Sequence, residues 1–437
     1  MKLLLIDPVT TSGVLDVRTR RKLREGIGYP GIGLITVAAL TPPDIRVTVI
    51  DESVEDIDLN CPADLVGISV QAPIAAHAYK LSAHFRQRGI PTVLGGIHVS
   101  LNPDEAMPHA DSILLGEAEI TWPELIEDFL KGDLKKIYKP DRLADLDKTP
   151  CPRRDLLDKD CYQLPSVVQA SKGCQYGCEF CSLYSYLGHT RRYRDPVRVA
   201  DEIRGLDGDL FLFADDNIYS SRKYSINLFK TILDCRKRWV AESTWHIAFD
   251  NEALTWASRS GCVGLFIGFD TINQQPYITK VPKSDEVEDI YIRAIRNIQS
   301  HGIAVVAAFV FGLDNDDESV FERSLRVVRE GGANLVNFSA LVPYPGTPIF
   351  QRLDAQGRIT ERDWSKYISP NVCYEPGKMS RSGLEAGIRW AQSEFYTMGN
   401  ILHVSWETFK KLGWAMALLS LQLNMSQKRN WGKGSAR

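Results

Sequence analysis

From the amino terminus to residue 136, short apolar runs alternate with stretches of helical periodicity. KLLLID (2–7), IRVTVID (45–51), ADLVGISV (63–70), PTVLGGIH (91–98) and SILLGE (112–117) read as strands. IAAHAYKLSAHFRQRG (74–89) between them reads as a helix ended by Gly89. Strands that are apolar throughout, and not only at every second position, are covered on both faces. The pattern therefore predicts a parallel, doubly wound, Rossmann-like sheet. Ligands of such sheets sit at the carboxyl ends of the strands, where Asp51, Ser69 and the Gly95-Gly96 pair fall. Residues 137–164, which include KPDRLADLDKTPCPRRDLL, are polar and aperiodic and read as a linker.

A second alternation begins at residue 165 and runs longer. Its strands are SVVQAS (166–171), LFLFAD (210–215), TWHIAF (244–249), VGLFIGFD (263–270), IAVVAAFVFG (303–312) and NLVNFSALV (334–342). Six strands, each followed by a helical pattern, predict a (βα)6 partial TIM barrel over 165–380, with its chemistry at the strand carboxyl ends. Residues 381–437 are helical in pattern and end in the basic tail QKRNWGKGSAR. The expected fold class is thus α/β: a doubly wound domain, a partial barrel and a helical carboxyl-terminal segment.

One apolar run, GWAMALLSLQLNM (413–425), falls short of the ~20 residues that cross a bilayer. Lys410, Lys411, Lys428 and Arg429 flank it, with Trp406, Trp414 and Trp431 nearby. Two readings are open: a helix docked on the protein's own core, or one lying in a membrane interface as a peripheral contact.

Composition narrows the class. A net charge of −3 over 437 residues gives no basic field for nucleic acid. MKLLLIDPVTTSG reaches Asp7 too soon to hold a secretory apolar region. Nine cysteines, scattered apart from one cluster, suit a reducing cytoplasm.

That cluster is SKGCQYGCEFCSLY (171–184), which carries Cys174, Cys178 and Cys181 directly after the first barrel strand. A structural zinc site wants four ligands, usually two close pairs, and the nearest further donor is His189. Three thiolates can instead bind three irons of a [4Fe–4S] cluster and leave the fourth open to a small molecule. The readings are a catalytic cluster, an iron–sulfur redox sensor or electron carrier, and a zinc site.

C-x3-C-x2-C with an aromatic residue, Phe180, before the last cysteine, and after the first of six barrel strands, resembles the radical S-adenosylmethionine (SAM) superfamily. The resemblance implies an enzyme whose cluster reductively cleaves SAM, fed by an electron donor such as flavodoxin or ferredoxin. It implies SAM contacts at Phe180, at Asp215, Asp216 and Asn217 of FADDN toward the methionine amine, and at Asp270 of IGFDT toward the ribose. Asp270 stands where the family's glutamate is usual, one methylene shorter. Gly312 and Leu313 of FVFGLDNDDE fall at the adenine position, and PYPGTP (343–348) closes the sixth strand as in relatives. Arg191, Arg192 and Arg194 of RRYRDP read as a solvated basic loop or as contacts to SAM or substrate.

The doubly wound domain ahead of the barrel resembles the cobalamin-dependent branch, through YPGIGLITVAAL (29–40), VTVIDE (47–52), VLGGIHVSLNPDEA (93–106) and ILLGEAEITWPEL (113–125). That branch carries D-x-H-x-x-G; here Ser53 stands at the histidine and Asp56 at the glycine. Ser69, Gly95 and Gly96 are the candidate cobalamin contacts, and a domain that only shapes the barrel's mouth is the alternative. The resemblance implies a small-molecule or lipid-like substrate, modified by methylation or other carbon-radical chemistry, aminocarboxypropyl transfer being the cobalamin-independent alternative. No acid, base or nucleophile is assigned. His98 and His109 are candidates for the mouth, and Cys373 for a substrate contact.

Overall fold

The structure is a computed structural model and describes residues 1–9, 28–273 and 286–434. Its first sheet contains β1 (Lys2–Asp7), β2 (Arg46–Asp51), β3 (Leu65–Ser69), β4 (Thr92–Gly95), β5 (Ser112–Leu114) and β6 (Ile137–Tyr138). All are parallel, in the order β2-β1-β3-β4-β5-β6. Winding reverses between β1 and β3, which opens a crevice at their carboxyl ends.

The unbroken apolar runs are explained by cover on both faces. Leu3 and Leu5 pack with α1 (Ile32–Leu40) and the helix Ala118–Lys131, whereas Leu4 and Ile6 pack beneath α2 (Ala75–Gln87). We call Ala118–Lys131 α3. The sixth strand lies inside the segment expected to be a linker. Two residues are too few to show a period, so only pairing with β5 reveals it. The rest of that segment is a strap. Arg153 N–H donates to the Ile35 carbonyl at 2.9 Å, and the Tyr162 hydroxyl donates to Asp51 at 2.9 Å. Farther toward the barrel, Arg154 pairs with Glu202.

The second sheet is also wholly parallel, in sequential order: β7 (Val167–Val168), β10 (Leu210–Phe213), β11 (Arg238–Thr244), β12 (Cys262–Asp270), β13 (Ala304–Phe311) and β14 (Leu335–Ala340). A short antiparallel pair, β8 (Ser171–Lys172) and β9 (Arg192–Tyr193), brackets the cysteine segment. Outside the barrel lie α4 (Ser182–Leu187), α5 (Pro196–Arg204), α6 (Arg222–Thr231), α7 (Asn251–Arg259), α8 (Val287–Ser300), α9 (Ser319–Gly331) and α10 (Pro348–Ala355). This is the six-stranded partial barrel expected.

The third strand is displaced from its expected place. TWHIAF was read as strand, but β11 precedes it and Trp245–Phe249 is a 3-10 turn. The aromatic content of that run mimics strand preference, yet Ile247 and Ala248 are buried and Trp245 sits 5.8 Å from the Tyr291 ring of α8.

After the barrel, α11 (Arg381–Phe395) packs on β14, followed by α12 (Met398–Gly434), which breaks at Gly413 with φ 83° and ψ 175°. Among the described residues no helix is long and apolar enough to cross a membrane. The last three residues of the basic tail lie outside the described residues.

Candidate active site

Burial alternates along the barrel strands and separates two faces. Trp239, Leu265, Val305 and Val336 point outward into the core beneath the helices. Their neighbours face the lumen, which is the less buried side. Val240, Phe266 and Val306 line it with Glu242 and Asn337, both exposed, as the polar points. Neither Glu242 nor Asn337 was singled out in the sequence. Once β11 is placed correctly, the exposed–buried alternation of RWVAEST points Glu242 inward.

The cysteine segment caps one side of this lumen. It leaves β8 through Gly173, whose φ is 93°; a Cβ there would lie 2.0 Å from the Thr190 carbonyl oxygen. A Cβ on Gly177 would meet His189 at 2.8 Å. The loop is therefore folded tightly against the turn before β9: the Thr190 backbone and the positive φ admit only glycine at 173, and a side chain at 177 would have to displace the His189 ring. Cys178 is buried, and its carbonyl accepts from the Cys181 N–H at 3.0 Å as the chain enters α4. Phe180 packs against the barrel core. His189 stacks edge-on against Tyr184 at 4.5 Å. None of the described cysteines is in a disulfide. Among the described residues no three His, Cys, Asp or Glu side chains converge on one metal ion. A cubane cluster asks for something different: one soft thiolate for each of three irons. This donor set fits it.

FADDN divides in function. Asp215 is buried and turned away from the lumen: it accepts from Ala170 N–H at 2.9 Å and from the Ser171 hydroxyl at 2.5 Å. Asp216 accepts from Gly173 N–H at 2.8 Å, and burial raises its pKa. Both aspartates thus hold the start of the cysteine loop. Asn217 differs. Its Oδ1 accepts from the N–H groups of Tyr219 (3.1 Å) and Thr244 (3.4 Å), which fixes the orientation of the amide. The Nδ2 group is buried with no hydrogen-bond partner among the described residues.

Burial pushes the Asp215 carboxyl up to about 7. A folded-state pKa raised above the unfolded one contributes stability below the unfolded value, near 4, which is lost as pH rises through 7; the loss is up to about 4 kcal/mol. Unfolding midpoints of the protein are expected to fall between pH 5 and 8. In Asp215→Asn that slope should flatten, and an unchanged slope would refute the assignment.

Farther round the rim, Asp270 ends β12 with φ 61°, where the pairing to β13 slips by one residue. Gly312 has φ 95°, and the space a side chain would take there is filled by the Tyr374 hydroxyl (2.3 Å from the Cβ position) and Leu384. Protein packing alone thus requires this glycine, and Leu313 beside it is buried. The organiser of this rim is Asp316, which sequence reading passed over. It accepts from Gly312 and Leu313 N–H, both at 3.1 Å, and from Asn273 Nδ2 at 2.8 Å, tying the loops after β12 and β13 together.

The two domains meet over a cavity of about 260 Å³ whose walls include Ser69, Gly95, Gly96, Gln169, Lys172 and Tyr186. All three candidate cobalamin contacts therefore share one space with the start of the barrel. Ser53 and Asp56 do not line it; the Ser53 N–H donates to Asp51 at 2.9 Å within its own turn. At the cavity's edge Glu117 is buried and receives two 2.7 Å bonds from Arg192, with Lys172 at 3.4 Å and Ala144 N–H at 3.0 Å. The basic loop is spent on the protein itself: Arg191 donates to Gln175 and Ser220, and Arg194 pairs with Glu202. In PYPGTP, a Cβ on Gly346 (φ 84°) would meet Leu101 at 2.7 Å, so this glycine permits contact between the domains.

His98 is buried beside Glu105, 3.3 Å away, and His109 stacks on Tyr79 at 4.1 Å. Cys373 is buried with its thiol pushed up to about 11 by desolvation, which leaves it unreactive. A residue that the sequence reading did not single out is Tyr176, between the first two cluster cysteines. It lies 3.0 Å from His246 Nδ1, in the turn mistaken for a strand.

A model described as the Radical SAM superfamily matches residues 168–328. The chain is 31% identical to the bacteriochlorophyllide d C-12(1)-methyltransferase of Chlorobaculum tepidum, over 84% of this chain and 82% of that one. It is 27% identical to the hopanoid C-2 methylase of Rhodopseudomonas palustris, over 76% of this chain and 66% of that one. Among solved structures it resembles the methyltransferase TsrM from Kitasatospora setae, determined with cobalamin and a [4Fe-4S] cluster bound. That likeness has a TM-score of 0.69 at 16% identity and covers 99% of each chain.

Proposed function

The chain belongs to the radical SAM superfamily, and from that premise we propose that it transfers a methyl group from SAM to a carbon of a small amphiphilic molecule. The observation that carries this reading is the lumen: an apolar wall from β11 to β13, with Glu242 and, on β14, Asn337 as polar points, below the cysteine loop. Such a wall suits a flat or lipid-like body, as in the relatives named for bacteriochlorophyllide and hopanoid substrates.

In this proposal Cys174, Cys178 and Cys181 hold a [4Fe–4S] cluster, which when bound supplies the electron that splits the sulfonium of SAM. A carrier such as flavodoxin or ferredoxin delivers that electron in a reducing, cytoplasmic compartment. Asp215 and Asp216 fix the loop that bears the thiolates. Asn217 Nδ2, a donor, suits the carboxylate of SAM better than its amine. Phe180, Asp270 and Leu313 complete the nucleotide side, while Gly312 acts through the packing of Tyr374. Ser69, Gly95 and Gly96 offer the cavity between the domains to a corrinoid's nucleotide tail; at about 260 Å³ it takes only part of such a cofactor. The first domain then ends at 138, the strap runs to 164 and the barrel to 380.

Asn217→Asp keeps the acceptor and replaces the free donor by a charge. It is expected to raise the SAM dissociation constant about 10–100-fold with iron content unchanged. Unaltered affinity would remove Asn217 from the SAM contacts.

Protein reconstituted without oxygen with iron, sulfide and cobalamin, then supplied with reductant and SAM, is expected to form S-adenosylhomocysteine and retain cobalt. Methylthioadenosine without cobalt would favour aminocarboxypropyl transfer. Absence of any SAM-derived product would overturn the reading.

A further inference from the structure

Beyond the reaction itself, we infer that the outer face of α12 docks on a bilayer surface bearing anionic lipid. One side of this helix is fixed to the barrel: Ile401, Val404 and Thr408 are buried, and so are Ser420 and Asn424 beyond the Gly413 break. Thr408 accepts from Asn334 Nδ2 at 2.9 Å, and Asn424 Nδ2 donates to the Asn334 carbonyl at 3.0 Å. On the other side six large apolar side chains stand in solvent. Leu402 and Trp406 are each 57% exposed, Phe409 46%, Trp414 72%, Leu418 49% and Leu419 41%. Leu402, Trp406 and Phe409 follow one another at helical spacing, and the last two rings stack at 5.6 Å.

Charge decides the occupant. Residues 408–437 contain Lys410, Lys411, Lys428, Arg429, Lys433 and Arg437 and not one Asp or Glu, in a chain whose net charge is −3. Tryptophan and leucine on one face with lysine and arginine around them match the boundary between acyl chains and anionic headgroups. A second copy of the chain is the poorer fit, because two-fold pairing would set these basic stretches against each other with only Glu407, already paired with Lys410 of its own helix, as a nearby acid.

The position of the helix sets what docking does. Asn334 immediately precedes β14, and Lys411 reaches Gln299 near the end of α8, so α12 lies at the amino-terminal ends of the strands. The lumen's mouth is at the opposite end. Docking therefore holds the enzyme at the bilayer with the mouth open to the aqueous side, and SAM cleavage proceeds without it.

The test is co-sedimentation of the full reconstituted protein with phosphatidylcholine vesicles, with and without phosphatidylglycerol. Expected is binding to the anionic vesicles only, released by salt, with a blue shift of tryptophan emission. Trp406→Ser with Trp414→Ser, and separately Lys410→Glu with Arg429→Glu, should each weaken binding at least about tenfold while SAM cleavage stays as in the parent. Equal binding to neutral vesicles, no binding to either, or self-association in light scattering that the tryptophan variant abolishes would each overturn the proposal. The vesicle-binding and emission readouts need no turnover, so a wrong methyl-transfer reading leaves them intact.

Discussion

Cys178→Ala is expected to yield a folded protein that holds little iron, lacks the cluster's visible absorption and cleaves SAM at least about 1,000-fold more slowly, ~4 kcal/mol of lost transition-state stabilisation. The structure explains why fold and function part here. Alanine is smaller than cysteine, Cys178 lies at the edge of the barrel core, and the 3.0 Å bond to Cys181 N–H comes from its backbone carbonyl, so the loop retains its path. What disappears is one of three thiolates. His189→Ala serves as the control. Its ring stacks on Tyr184 and rests against Gly177, a packing role, so iron content and SAM cleavage should persist in that variant. Iron loss in His189→Ala would mean a fourth protein ligand and would refute the open-iron reading. Full SAM cleavage by Cys178→Ala would do the same.

The second large effect is on stability. Glu117→Ala removes the carboxylate on which Arg192 and Lys172 converge; Lys172 keeps Glu119, but Arg192 is left without a carboxylate at a buried boundary between the domains. Breaking one side of a buried ion pair costs about 3–5 kcal/mol. Burial alone would raise the Glu117 pKa, but the hydrogen bonds from Arg192 and the charge of Lys172 outweigh it and hold the carboxyl below its usual range. A depressed folded-state pKa gives stability that is present above the unfolded value and lost as pH falls through the folded one. The penalty of Glu117→Ala should accordingly be largest near neutral pH and shrink in acid. Replacing Arg192 by Met in the same chain should recover part of the loss, since the stranded charge goes with it. Thermal unfolding across pH 3–8 of the parent, single and double variants decides this, and a pH-independent penalty would contradict it.

Much of the framework was legible because its physics is local. The runs at 3–6 and 304–311 are apolar at every position, since helices cover one face and helices or the lumen the other, and the strands fell where the runs stood. Three thiolates at C-x3-C-x2-C announce metal chemistry without any fold. What escaped was set by contacts between distant segments. β6 is a strand only because β5 offers it an edge, and the aromatic run at 245–249 became a turn because Tyr291 of α8 packs against Trp245. The direction of a side chain was equally hidden. FADDN offers three polar groups in a row, yet two turn back to bind backbone N–H groups and only the third presents a free donor. The glycine at 312 spoke of room, but not of Tyr374 as its occupant.

The strap between the domains has a consequence for how the molecule endures damage. Because its backbone at Arg153 is bonded to α1, Tyr162 to the end of β2 and Arg154 to the barrel helix α5, each half keeps its own grip on the intervening stretch. A single proteolytic nick at an exposed site such as Arg142 would then leave two pieces that travel as one particle, parted only under denaturing conditions.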